Sequence, residues 1–189
     1  MEQALNELSI DCRDLDIFVT HNHVDHSGYV SFFTDRGARA FMNPVEIAAS
    51  SDRYHRFYED NDMRRSYTSE VGVTKERTPD AWQEIKAGAD QLARDNNVNF
   101  DFPFTPIAPG DRLSYGGYDF EVVSLAGHTS GQCGLVDRNA KLFFCADQVI
   151  LGLVPIVITS GKDQHLLTEY FASLRELASD YSGYRFLPG

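Results

Sequence analysis

Six consecutive residues, His21-Asn22-His23-Val24-Asp25-His26, constrain this chain more than any other stretch. They follow the apolar run from Leu15 to Thr20 and hold three of the six histidines in 189 residues. Three imidazoles and a carboxylate within six positions serve packing poorly, whereas zinc, iron(II) and manganese accept all of them as ligands. Read as a buried strand, 15–20 delivers this group at its carboxyl end, where open α/β sheets place their ligand sites.

Composition narrows the partners. The length suits one domain, or one plus an insertion, and 42% apolar with 24% charged residues is ordinary for a soluble globular protein. A net charge of −11 argues against nucleic acid, because phosphate backbones are held by clustered Lys and Arg. Cys12, Cys133 and Cys145 lack CxxC spacing and read as reduced, buried thiols, which suits a cytoplasmic protein. Met1-Glu2-Gln3 opens no signal peptide, and no apolar run approaches the roughly 20 residues that span a bilayer. The expected partner is a small-molecule substrate, with no nucleic acid and no membrane.

Taken in order, the chain reads as mixed α/β. Residues 3–10 predict a short amphipathic helix, 15–20 a strand, and Ser27 onward a helix closed by Gly37. Residues 38–42 predict a second strand, completing a strand–helix–strand unit. Asn43-Pro44 then starts a helix, and 43–97 reads as a helical insertion. Tyr54, Phe57, Tyr58 and Met63 punctuate its first part, and Trp82, Ile85, Ala89 and Leu92 a second helix opened at Thr78-Pro79. The insertion is either surface decoration or a lid over a substrate pocket.

From residue 98 the period changes to two. Phe100, Phe102 and Phe104 alternate as a strand would, and 112–124 predicts a hairpin turned at Gly116-Gly117. Residues 133–136 and 141–146 predict another hairpin, 164–178 a helix with Leu167, Tyr170, Phe171, Leu174 and Leu177 on one side, and 184–187 a last strand. His128 and Asp147 each end a strand-like run, as the first cluster does. Read singly, either is an ordinary loop residue; read with 21–26, they become further ligand candidates.

The set His21-x-His23-x-Asp25-His26, Gly127-His128-Thr129-x-Gly131 and Asp147 after Phe143-Phe144-Cys145-Ala146 resembles the metallo-β-lactamase superfamily, nearest its glyoxalase II-like hydrolases. Tyr170-x-x-Ser173-Leu174 and the ending Leu187-Pro188-Gly189 extend the likeness over nearly the whole chain. The resemblance implies an αββα sandwich with a dinuclear metal site at one edge. It implies one ion on His21, His23 and His128, a second on Asp25 and His26, and Asp147 bridging them. Zinc is the expected metal, with iron or manganese accepted by the same donors. The implied reaction is hydrolysis of a small ester, thioester or lactone by a metal-bound hydroxide, with Asp25 orienting the water and moving its proton. Asn22 and Thr129 are expected to fix the imidazoles. Cys145 reads as a small buried residue, and His55 and His165 as surface residues.

The same resemblance raises alternatives. A nuclease of the superfamily would cut phosphodiesters, and a redox diiron branch carries a carboxylate where this chain has His23. The superfamily also has strands before the first cluster and a histidine directly after Leu-Pro-Gly, where this sequence stops at Gly189. The expectation is therefore a chain cut at both ends, an incomplete sandwich with an exposed sheet edge, one ligand short at the second metal. Such a piece would bind metal and turn over poorly, or be inactive.

Overall fold

Alternation along β1 (Asp16–Val19) decides the layering. Ile17 and Val19 turn to one face, where Val30, Ala40, Met42 and Phe102 are buried with Ile47 and Phe104 beside them. Phe18 turns to the other, with Phe41, Ile107, Val122, Cys133, Leu113 and Leu135. A strand apolar on both faces belongs between two layers. The computed structural model describes residues 2–51, 70, 72–84, 87, 102–157 and 165–189.

The chain divides into two compact units, Met1–Ala49 with Phe100–Gly189, and Ser50–Asn99. In the first, α1 (Glu2–Glu7) and a single 3-10 turn at Cys12–Asp14 precede β1. After β1 come the short helices α2 (Val24–Ser27) and α3 (Val30–Thr34), then β2 (Arg39–Met42). β2 pairs parallel with β1, Asp16 opposite Arg39 and Val19 opposite Met42. The predicted helix thus starts at Val24 rather than Ser27 and breaks at Gly28-Tyr29. Gly37, at φ 96°, releases the chain into β2 in the left-handed conformation that glycine adopts without penalty.

α4 (Pro44–Ser51) starts where Asn43-Pro44 predicts, with Asn43 Oδ1 accepting the Val45 N–H at 3.1 Å. Beyond Ser51 the first predicted insertion helix, including Tyr54, His55, Phe57, Tyr58 and Met63, lies outside the described residues. In the second unit the helix predicted at Thr78-Pro79 begins there, and the Trp82 N–H donates to the Thr78 carbonyl at 2.9 Å. Ile85, Ala89 and Leu92 lie outside the described residues.

The strand expected from the alternation of Phe100, Phe102 and Phe104 is not formed over its described part. β3 is only Thr105–Pro106, parallel to β2. Pro103 and Pro106 lack the N–H that a ladder uses, and Phe102 is drawn into the core instead. Among the described residues β1, β2 and β3 form one sheet, and a second runs in the order β4 to β8.

β4 (Arg112–Tyr115) and β5 (Tyr118–Ser124) are the predicted hairpin, with Gly116 at φ 56° and Gly117 at φ 87°, as a type I′ turn requires. β6 (Cys133–Asp137) and β7 (Leu142–Ala146) continue antiparallel, and β8 (Arg185–Pro188) returns parallel to β7. α5 (Leu166–Asp180) covers the outer face of this sheet. There Leu177 and Tyr181 meet Leu125, Val136, Phe143 and Cys145, with Leu174 alongside. Burying a side chain such as Phe143 contributes about 1.5–3 kcal/mol. The buried stripe of α5 is Leu166, Tyr170 and Leu177, whereas Leu167 and Phe171 stand half exposed. Of the five residues read as one side, Tyr170, Leu174 and Leu177 pack inward, and Leu167 and Phe171 lie at the margin of that side.

The layers of the first unit are thus α3 and α4, one sheet, the other sheet, and α5. The two sheets also join backbone far apart along the chain, for the Cys133 N–H donates to the Thr20 carbonyl at 3.0 Å. That bond fixes the end of β1 beside the start of β6, where the histidines lie.

Candidate metal centre

Four chain segments deliver the site, each leaving the carboxyl end of a strand. After β1, Thr20 turns into His21, which has no solvent exposure, and His23 takes the N-cap position of α2 at φ −66° and ψ 149°. Asp25 and His26 therefore lie on the first turn of α2, one exposed and one partly buried. The Ser27 hydroxyl donates back to the His23 carbonyl at 2.8 Å and closes this turn.

After β5 the segment 125–132 folds on itself, with Leu125 N–H donating to the Gln132 carbonyl at 2.8 Å and Gly127 N–H to the Thr129 carbonyl at 2.9 Å. Gly127, at φ 134°, lies against the α5 backbone, where a β-carbon would stand 2.4 Å from Tyr170 Cα. Only glycine fits that approach, and it sets His128 in place. Near the end of β7 a register shift between Phe144 and Ala146 interrupts the ladder before its last pair, Ala146 with Pro188. Ala146 takes φ 47°, a left-handed conformation that costs a non-glycine residue about 1–2 kcal/mol. This kink presents Asp147. The last strand, β8, brings Gly189 to the same place, its N–H donating to the Ala146 carbonyl at 3.2 Å.

The side chains form two groups sharing one member. His21, His23, His128 and Asp147 offer one donor atom each within 4.8 Å of one another, as do Asp25, His26 and Asp147. His23 Nδ1 lies 3.0 Å from His21 Nε2 and 2.8 Å from His128 Nε2. Asp147 Oδ2 lies 3.5 Å from His128 Nε2 and 4.0 Å from His21 Nε2, while its Oδ1 lies 3.2 Å from His26 Nε2. Asp25 Oδ2 stands 3.8 Å from His26 Nε2. All six ligand candidates of the sequence are brought together.

These distances suit a cation. Ligands about 2.0–2.1 Å from a tetrahedral ion stand about 3.3 Å apart, close to the separations seen. The donor chemistry agrees. The Ile156 carbonyl lies 2.7 Å from His128 Nδ1 and can only accept, so Nδ1 carries the proton. His128 Nε2 then turns its lone pair toward the other donors. Thr20 Oγ1 bonds His21 Nδ1 at 3.1 Å and leaves Nε2 to face inward.

Asn22 and Thr129, expected to fix the imidazoles, both bond Glu46, which the sequence reading did not single out. The Asn22 N–H donates to Glu46 Oε2 at 2.8 Å and the Thr129 hydroxyl to Glu46 Oε1 at 2.8 Å. Its only sequence signal is its place three residues after the N-cap Asn43, which suggests a local cap rather than a tertiary bridge. Thr20 and Ile156 also escaped the sequence reading, Ile156 because its contact is made by a backbone carbonyl.

Cys145 lies in the core beneath α5, its thiol donating to the Val149 carbonyl at 3.6 Å, and burial pushes its pKa up. His165 is exposed at the N-cap of α5. Behind the site Gln132 Nε2 donates to the Leu125 carbonyl and to Gln148 Oε1, and Gln148 Nε2 donates to Ser173 on α5.

A sequence profile of the metallo-beta-lactamase superfamily matches residues 15–186, almost the whole chain. The chain belongs to the metallo-beta-lactamase superfamily. Comparison with curated protein sequences returned no match. Among solved structures, a metallo-beta-lactamase family protein from Thermus thermophilus is similar at a TM-score of 0.74 and 22% identity, over 100% of this chain and 58% of that one. A beta-lactamase domain protein from Burkholderia ambifaria gives 0.69 and 21%, over 100% of this chain and 53% of that one. TTHA1623, solved in a di-iron-bound form, gives 0.64 and 23%, over 100% and 74%. At such identities the likeness shows the superfamily's fold. This superfamily member spans between half and three fifths of the length of the first two. No helix among its described residues is long and apolar enough to cross a membrane.

Proposed function

We propose that this member of the superfamily is a metal-dependent hydrolase of small esters, thioesters or lactones, nearest the glyoxalase II-like branch. One observation carries the reading: Asp147 turns one carboxylate oxygen to His128 and His21 and the other to His26, and belongs to both donor groups. A carboxylate so shared joins two cation sites into one. His21 Nε2, His23 Nδ1 and His128 Nε2 would hold the first ion, Asp25 and His26 the second, and Asp147 both. Zinc, iron and manganese all suit these donors.

Bound there, two divalent ions supply a water of lowered pKa, near about 7, and polarise a carbonyl oxygen. The rest is the work of side chains. Asp25, its side chain 73% exposed, can orient a water and carry its proton to solvent. The Ile156 carbonyl holds His128 in the tautomer whose Nε2 lone pair faces the other donors. The net charge of −11 favours a small substrate over a phosphodiester polymer. The second unit, Ser50–Asn99, overlaps most of the 43–97 insertion.

Metal content by mass spectrometry, joined to a screen of esters, thioesters, lactones and phosphodiesters on the metal-loaded protein, tests the proposal. Turnover of a carboxylic ester that a chelator abolishes supports it. Turnover indifferent to chelation, or a His21→Ala/His128→Ala variant that keeps its full metal content, overturns it.

A further inference from the structure

Glu46 has no solvent exposure, although it lies on the first turn of α4. A glutamate three residues after an N-cap commonly bends back to the cap's own N–H. Here its carboxylate reaches out from the helix to two other segments. Oε2 accepts the Asn22 N–H at 2.8 Å, and Oε1 accepts the Thr129 hydroxyl at 2.8 Å and the Gly131 N–H at 2.6 Å. The Glu46 backbone carbonyl accepts the Asn22 side-chain amide at 3.0 Å. Asn22 lies between His21 and His23, and Thr129 follows His128. One carboxylate therefore ties together the two segments that carry the three imidazoles.

The surroundings are built for it. A β-carbon at Gly131 would stand 2.9 Å from Glu46 Oε1 and 2.8 Å from Val45 Cβ, so the glycine makes room for the carboxylate. Asn43, at the cap of the same helix, donates to the Gly131 carbonyl at 2.9 Å and holds α4 against that segment. Burying a carboxylate costs several kcal/mol unless donors compensate it, and an apolar residue is often as good for stability. A charge retained here points to a geometric purpose.

We propose that Glu46 is a positioning residue for the metal centre. It sets His21 and His23 at a fixed separation from His128 and so determines the affinity and ligand geometry of the first metal. This inference rests on the reading that those three histidines hold an ion. Chemistry makes the carboxylate hard to replace. It only accepts, and the three bonds arrive from donors. Glutamine keeps the size but turns a donor toward either the Asn22 N–H or the Gly131 N–H, and one ligand segment must move.

Cobalt(II) is the probe, because its visible absorption reports ligand geometry separately from turnover. Wild type, Glu46→Gln, Thr129→Val, Thr129→Ser and His128→Ala would be titrated with cobalt(II), and the metal-free proteins melted. Glu46→Gln should bind cobalt(II) about 10–100-fold more weakly, with a changed absorption band, in a protein that still melts cooperatively. Thr129→Val should weaken binding in the same sense, and Thr129→Ser, which keeps the hydroxyl, should restore it. This pair keeps the proposal falsifiable if Glu46→Gln does not fold. A lower melting temperature with unchanged affinity and spectrum would reduce Glu46 to a fold-stabilising residue and overturn the proposal, as would equal affinity in Thr129→Val and Thr129→Ser. If His128→Ala loses the ion while Glu46→Gln matches wild type, the ligand assignment stands and the positioning role falls. If His128→Ala binds cobalt(II) as wild type does, the ligand assignment fails and takes the proposal with it.

Discussion

Asp147 Oδ1 lies 3.2 Å from His26 Nε2. The other oxygen of the same carboxylate faces His128 and His21, at 3.5 Å and 4.0 Å. Losing Asp147 should therefore affect both ions, and losing His26 only one. After dialysis against a zinc buffer, Asp147→Asn should retain less metal than His26→Ala by mass spectrometry. Equal retention in the two variants would contradict a shared carboxylate.

Gly127 and Gly117 separate close approach from conformational strain. Both have positive φ, but a β-carbon at Gly127 would strike the Tyr170 backbone, whereas one at Gly117 meets nothing within 4 Å. Gly117→Ala should lose about 1–2 kcal/mol, the left-handed penalty alone. Gly127→Ala should lose more than about 3 kcal/mol, because helix α5 must shift as a body. Urea unfolding of the two variants checks the order, and equal losses would refute it.

Stability should fall at both ends of the pH range through one cluster. Tyr115 on β4 donates to Asp16 Oδ2 at 2.7 Å, and Arg39 donates to Asp16 Oδ1 at 2.6 Å. Burial raises the Asp16 pKa, but the bonds from Arg39 and Tyr115 outweigh it and leave the carboxyl below its usual range. Burial first, then the bond to Asp16, pushes Tyr115 up to about 12. A depressed carboxylate contributes stability above its unfolded value, near about 3.9, and that contribution is lost as the pH falls through the folded value. A raised phenol contributes below its unfolded value, near about 10, and that contribution is lost as the pH rises toward the folded one. Tyr115→Phe should thus be less stable than wild type by at most about 1 kcal/mol at about pH 8, since the pair is partly exposed. In denaturant unfolding the gap should narrow above about pH 10. A gap constant across that range would exclude the linkage.

The thiols of Cys133 and Cys145 should be inert in the native protein. Burial pushes the Cys133 pKa up to about 11 and also raises that of Cys145, and thiolate is the reactive form. Modification by a thiol reagent at neutral pH should follow global unfolding for these two. Rapid native-state labelling of either would show that the core between the sheets or beneath α5 opens locally.

Legibility in the sequence followed the range of the interactions. The hairpin at Gly116-Gly117 and the start of α4 at Asn43 were readable because each depends on a few adjacent residues. Period two misled at Phe102 to Phe104, since alternation records faces but not whether N–H groups exist to pair, and Pro103 and Pro106 have none. The face of α5 was legible at Tyr170, Leu174 and Leu177 but drawn too wide at Leu167 and Phe171, because apolar residues over a wide arc do not mark where burial stops. The close approach of Gly127 to the Tyr170 backbone fixes how near the helix lies to that segment.

By itself the sequence determined the donor chemistry of the candidate site: three imidazoles and a carboxylate in one loop, with His128 and Asp147 at the ends of other strands. Ligand type is a property of single residues and survives without coordinates. Only the tertiary structure decided which oxygen of Asp147 faces which group, which nitrogen of His128 is free, and that Glu46 joins the two histidine segments. These are relations between atoms far apart along the chain. They exist only once the two sheets have packed and brought the strand ends to one edge.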